Sequence, residues 1–179
     1  SGVSGPVIFN VRTGTYTENI TLTNITGVSA TNTVTFRSET GVATNVTLQS
    51  SSTDVIVLSN ADYHIFENIT VSYTGASTVS AIELQDDADN VIISGCILNG
   101  GTSTSTAFTN AVIYVSESTT SLLVDGLVVQ NCTFNGAAYG VYFASGTAES
   151  TGIAITNNSF GDCFRGAVFL DDCTAPLVQ

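Results

Sequence analysis

The sequence predicts an all-β solenoid of about six stacked coils, and three observations predict it. The first is the lack of helical periodicity. No segment carries apolar residues at i, i+3, i+4 and i+7 over three turns, and the strong helix formers never gather into long runs. The second is an eight-residue β pattern that recurs at His64–Val71, Val91–Leu98, Leu127–Phe134 and Ile153–Phe160. The third is a family of short apolar boxes between these: Val55–Leu58, Ala81–Leu84, Val112–Val115, Gly140–Phe143 and Ala167–Leu170. Successive short boxes start 26, 31, 28 and 27 residues apart. That period lies in the window of about 20 to 50 residues that marks one coil per repeat.

Each element has a role in such a coil. In the eight-residue pattern the fifth positions are Asn68, Gly95, Asn131 and Asn157, which fit a turn whose stacked amides hydrogen-bond to the backbone and to one another. The eighth positions, Val71, Leu98, Phe134 and Phe160, form an apolar column. In the short boxes, alternation turns Ile56, Leu58, Ile82, Leu84, Ile113, Val115, Val141, Phe143, Val168 and Leu170 inward. Glu83 sets this parity, because the opposite choice would bury its carboxylate unpaired at a cost of several kcal/mol. Val57, Glu83, Tyr114, Tyr142 and Phe169 therefore face outward. The variable spacing reflects loop insertions, the largest being Asn99–Thr106, which reads as a flexible surface loop that carries no functional signal. Residues 1–179 form one domain, expected to be a segment of, or a module in, a longer secreted protein.

Composition narrows the function classes. Fifteen acidic residues against 3 basic ones give a net charge of -12, with no Lys, Met or Trp. A surface of that sign repels phosphate backbones and anionic lipid, so no nucleic-acid role is expected. Short apolar runs such as Val55–Leu58 fall far below the roughly 20 residues that span a bilayer, so no membrane insertion is expected either. Four Cys with the charge carried by Asp and Glu suit an extracellular or cell-surface location.

The boxes resemble the right-handed parallel β-helix of the pectin-lyase-like superfamily over about residues 7 to 173, which implies a single-stranded right-handed parallel β-helix of about six coils. The opening Val11–Ile20 is similar to the first coil of pectin methylesterases, and Asp54–Tyr73 and Ala81–Gly100 resemble their next two coils. The resemblance implies a general acid/base Asp in a run after the coil matched by Cys96–Gly100, and a nucleophilic Asp one coil later. Here those places hold Gly101–Thr104 and Gly140–Phe143, without a carboxylate, so the ester chemistry is not expected to transfer.

Other residue sets bear on chemistry. Asp86 with Asp87, and Asp171 with Asp172, follow short boxes three coils apart, roughly 14 Å at about 4.8 Å per coil, too far for one glycosidase pair. Asp62, the Asp86, Asp87 and Asp89 group, and Glu117 fall near one turn on three successive coils, an oxygen-rich set that suits calcium, although no cofactor is required. The single His64 opens an apolar box and reads as a packed residue. Cys96 and Cys132 share the sixth position of consecutive coils, about 5 Å apart, compatible with a disulfide or with stacked buried thiols.

The outward stripe carries the functional expectation. Tyr114, Tyr142 and Phe169 on consecutive coils, with Glu83 beside them, form a platform about 10 Å long that suits stacking of neutral sugar rings. The chain is thus expected to be a non-catalytic adhesive or structural module that contacts polysaccharide or cell-surface glycan. It is also expected to self-associate end to end, or to adjoin flanking coils, through open coil edges. The alternative is a polysaccharide-active enzyme, lyase, hydrolase or esterase, working on the same face with Asp86 or Asp171.

Overall fold

The computed structural model describes residues 2–116, 123–144 and 149–179. The chain winds as an all-β parallel solenoid of about six coils, each contributing one strand to each of three sheets. The first sheet holds Val7–Val11, Val34–Ser38, His64–Glu67, Ile92–Ser94, Val128–Gln130, Ala154–Thr156 and Leu177–Val178. The second holds Gly14–Thr17, Val46–Ser50, Thr70–Tyr73, Ile97–Asn99, Thr133–Asn135 and Ser159–Gly161. The third holds Ile20–Thr23, Ile56–Ser59, Ile82–Gln85, Ala111–Ser116, Tyr139–Ala144 and Gly166–Leu170. A short fourth sheet pairs Ser150–Thr151 with Cys173–Thr174.

Each eight-residue box is a first-sheet strand and a second-sheet strand joined by a corner. The fifth residue is the corner itself, left-handed in each of the four boxes: Asn68 at φ 51°, Gly95 at 64°, Asn131 at 54° and Asn157 at 54°. Asparagine and glycine are the residues that enter this region at least cost. Their backbone N–H groups donate to the next coil, Asn68 to Ser94 O at 3.0 Å and Gly95 to Gln130 O at 3.0 Å. The expected amide ladder is corrected on this point: among the described residues, backbone conformation selects Asn here, and no side-chain bond joins these amides. A second left-handed corner, Tyr63, Asn90, Gly126 and Gly152, precedes the first-sheet strands and follows the same rule.

The predicted inward residues of the third sheet are inward. Ile56, Leu58, Ile82, Leu84, Ile113, Val115, Val141 and Phe143 are fully buried, in columns that run straight along the coil stack. Val168 and Leu170 on the last coil are only partly buried. The second sheet adds Val71, Leu98 and Phe134, with Phe134 stacked on Phe160 at 4.6 Å. The first sheet adds a stack of Phe9, Phe36 and Phe66, with centroids 4.9 and 5.6 Å apart. Each fully buried large apolar side chain stabilises the fold by about 1.5–3 kcal/mol, so the central coils form one continuous core.

The sixth position of the box also points inward and meets the N–H of the preceding coil. Asn158 Oδ1 accepts from Cys132 N at 2.8 Å, while Cys132 Sγ accepts from Cys96 N at 3.4 Å. Of the two states expected for Cys96 and Cys132, the structure adopts stacked free thiols, both buried. Their thiol–thiol hydrogen bond, followed by burial, holds Cys96 above the ordinary thiol range.

Candidate functional site

The outer face of the third sheet is one register column of Thr21, Val57, Glu83, Tyr114, Tyr142 and Phe169. Its first half, Thr21, Val57 and Glu83, carries a single carboxylate, its second half is aromatic, and the two meet where Glu83 pairs with Tyr114. At this junction a shallow groove of about 140 Å³ is lined by Asp54, Ser80, Glu83, Thr109 and Tyr114, with Thr78 and Val79 at its side.

Glu83 is half-buried in that groove. Desolvation, reinforced by the negative charges of Asp54 and Asp86, pushes its carboxyl up to about 7. Both neighbours are held by hydrogen bonds to their own surroundings: Asp54 Oδ1 accepts from Ser80 N at 2.6 Å, and Asp86 Oδ2 accepts from Ser59 Oγ at 3.1 Å. At neutral pH the Glu83 carboxyl is thus divided between a form that donates a hydrogen bond and one that only accepts.

In the aromatic half the rings of the expected platform pack on one another. Tyr142 and Phe169 lie face to face, 4.6 Å apart and 8° from parallel. The reason is geometric: strands in register are about 4.8 Å apart, which is also ring-stacking distance, so like residues on adjacent coils use their shared faces on each other. Tyr114 is tilted 39° from Tyr142 at 6.2 Å. Two further rings complete the cluster. Phe108 lies 6.2 Å from Tyr114 and 5.6 Å from Tyr142, and Tyr139 meets Tyr142 edge-on at 4.9 Å. The result is a five-ring ridge in which Phe108, 51% exposed, and Phe169, 41% exposed, keep the most ring surface for a ligand. The tyrosine hydroxyls Tyr114, Tyr139 and Tyr142 add polar handles along it.

Phe108 and Tyr139 were missed in the sequence. Phe108 sits just past the Ser/Thr-rich insertion that read as featureless, and an aromatic ring in such a polar loop was the available signal. Tyr139 lies one residue before its apolar box, outside the repeat frame.

The acidic residues expected to converge on calcium are divided between two corners. Asp86 follows a third-sheet strand, whereas Asp62 and Asp89 precede first-sheet strands. Asp62 Oδ1 accepts from Asp89 N at 3.0 Å, Asp89 Oδ1 from Asp125 N at 2.7 Å, and Asp125 Oδ1 from Thr151 N at 2.5 Å. This column caps backbone N–H groups from coil to coil, with Asp125 as a member the sequence did not show. Burial raises Asp89 to about 6, with Asp87, Asp125 and Asp62 contributing repulsion, and Asp87 is shifted upward as well. Among the described residues no three His, Cys, Asp or Glu side chains form a metal-binding group, and Glu117 lies outside them.

His64 is fully buried. Its Nδ1 donates to the Asp62 carbonyl at 2.9 Å, its Nε2 has no hydrogen-bond partner among the described residues, and desolvation lowers its pKa from 6.5. It is a packed residue remote from the outer face.

Comparison with solved structures places two pectin methylesterases beside this fold. One, in complex with a hexasaccharide, gives a TM-score of 0.55 at 12% identity, covering 89% of this chain and 58% of that one. The other, a mutant form with a different hexasaccharide, gives 0.52 at 11% identity, with 90% and 59% covered. The chain therefore spans less than two thirds of either enzyme, and at this identity the likeness is one of fold. No curated protein matches the chain. The family model described as right handed beta helix region matches residues 24–179, and with the winding seen here the chain belongs to that family.

Proposed function

We propose that the chain is a non-catalytic extracellular or cell-surface module that binds a neutral polysaccharide along the outer face of the third sheet. The observation that carries this reading is the five-ring ridge of Phe108, Tyr114, Tyr139, Tyr142 and Phe169 abutting the Glu83 groove. Aromatic rings beside a few convergent polar groups match the apolar faces and hydroxyl edges of sugar rings. The net charge of -12 opposes polyanionic chains such as polygalacturonate, so an uncharged glycan is favoured. No cofactor is needed.

Isothermal titration with cellohexaose, xylohexaose and mannohexaose, using hexagalacturonate as the charged control, tests this. At least one neutral hexasaccharide is expected to bind. Tyr142→Ala, which removes the ring that touches all four others in turn, is expected to weaken binding roughly tenfold, about 1.4 kcal/mol. Binding of the galacturonate alone, or unchanged binding by Tyr142→Ala, would sink the reading.

One observation favours a second reading, a polysaccharide-active enzyme: Glu83, pushed up to about 7, stands between Asp54 and Asp86 in a groove. Such pairing of burial with charge recurs at catalytic carboxyls. Release of reducing ends from any of the four oligosaccharides, abolished by Glu83→Gln while binding persists, would replace the first reading by the second.

A further inference from the structure

Phe108 is the most exposed ring of the ridge and the only one outside a strand, so something must fix where it stands. The segment before it, Thr102–Ala107, has no strand or helix of its own and is built from small polar residues. Thr102 N–H fixes its start by donating to Gly75 O at 2.9 Å, and beyond that its own hydrogen bonds are weak ones between neighbours, Ser105 N to Ser103 Oγ at 3.3 Å and Ala107 N to Ser105 Oγ at 3.2 Å. Left to these alone, such a loop would sample many conformations.

Asn110 gathers the loop. It is fully buried, and its Nδ2 donates to two loop carbonyls, Ser103 O at 3.2 Å and Ser105 O at 2.7 Å. Its backbone N–H donates to Ala107 O at 3.0 Å, closing the turn that contains Phe108. Its carbonyl accepts from Ala138 N at 3.0 Å and Tyr139 N at 3.2 Å on the next coil. One residue thus ties the loop ahead of Phe108 to the start of the strand that carries Tyr139 and Tyr142. Ser80 Oγ adds a contact to Thr109 O at 3.5 Å, linking the same turn to the wall of the Glu83 groove.

From this geometry we infer that Asn110 is the positioning residue of the outer face: its buried carboxamide seats Phe108 against Tyr114 and Tyr142 and so sets the shape of the ridge. The side-chain Oδ1 has no hydrogen-bond partner among the described residues, so both bonds to the loop come from the amide nitrogen. Aspartate, which matches asparagine in shape but is acceptor-only when ionised, cannot replace them. The functional half of this inference rests on the polysaccharide reading; the seating of Phe108 does not.

The test uses the indole of a Phe108→Trp variant, in a protein that otherwise has no Trp. Adding Asn110→Asp to that variant is expected to red-shift the emission and raise acrylamide quenching roughly twofold, while far-UV circular dichroism keeps its β signature. Unchanged emission and quenching in a folded double variant would overturn the seating. Should the double variant not fold, the unmutated protein decides: ¹⁵N NMR in D2O is expected to show slowly exchanging Asn110 carboxamide protons, and fast exchange there overturns the inference. For the functional half, Asn110→Asp is expected to weaken neutral hexasaccharide binding as much as Phe108→Ala does, and the pair together no further. Additive losses would overturn the positioning role. If no neutral hexasaccharide binds at all, the polysaccharide reading fails while the indole measurement still decides what Asn110 does.

Discussion

At Glu83, the residue that joins the two halves of the outer face, burial and function act on one proton. The folded protein holds its carboxyl at about 7, against 4.5 for the free side chain, because of desolvation first and the nearby Asp54 and Asp86 second. Folded Glu83 therefore binds more proton than unfolded Glu83 across that window, and its linkage makes stability fall as pH rises from 4.5 to about 7. Above that range the penalty is complete. Glu83→Gln is expected to match the parent in thermal midpoint at pH 4 and to exceed it at pH 8. The gain is about 1 kcal/mol or less, since a half-exposed carboxylate is well screened. Melting curves at the two pH values check it, and a Gln variant no more stable at pH 8 would mean that the charge is relieved by solvent. His64 works with the opposite sign. Its folded pKa lies below 6.5, so its contribution is whole above that pH and is lost as pH falls through the depressed value.

At the scale of a repeat, the corner between the first and second sheets is the most informative element. Asn68, Gly95, Asn131 and Asn157 all hold φ between 51° and 64°. Only one position in the series is glycine, and a Cβ there would press on Asn68 Oδ1 of the preceding coil. Asn131→Gly is therefore expected to be nearly neutral, Asn131→Ala to cost about 1 kcal/mol for the left-handed backbone, and Gly95→Ala to cost about 2 kcal/mol because the contact adds to it. Urea unfolding of the three variants ranks them, and an Asn131→Ala loss equal to that of Gly95→Ala would show the contact to be irrelevant. This corner also shows what the sequence could tell. Its period and position were legible because a left-handed turn admits so few residues, and the inward columns were legible because β alternation is strict. Its mechanism was not: an amide ladder and a left-handed corner select the same asparagines. The second corner escaped because Tyr63, Asn90, Gly126 and Gly152 share a backbone conformation without sharing a chemistry. The outer face was half legible for a related reason. Register placed Tyr114, Tyr142 and Phe169 together, but ring orientation depends on the spacing between coils, and Phe108 arrives from an insertion that no repeat contains.

Across the whole molecule, stability is distributed along the solenoid axis, since each coil touches only its neighbours. Strands such as Ile82–Gln85, Ile97–Asn99 and Val128–Gln130 lie between coils and bury their inward side chains completely or nearly so. The first coil differs. Its inward residues Val11, Tyr16, Ile20 and Leu22 are only partly buried and border an apolar cavity of about 170 Å³, and Ile8 and Phe9 are 49% exposed. The last coil has Leu177 and Val178 46% and 50% exposed. Among the described residues both terminal strands of the stack belong to the first sheet, which has seven strands against six in the second and six in the third. A further coil or a second copy seated on either end would bury these side chains. Without such a cover, the outer coils open at less cost than the middle. Hydrogen exchange of the isolated chain is expected to show the three central strands at least roughly tenfold more protected than Val7–Val11, Ile20–Thr23 and Gly166–Leu170, with the difference shrinking as protein concentration rises if copies cover the ends. Uniform protection at low concentration would mean that the solenoid opens as one cooperative unit, and then the free coil faces would be no weaker than the core they border.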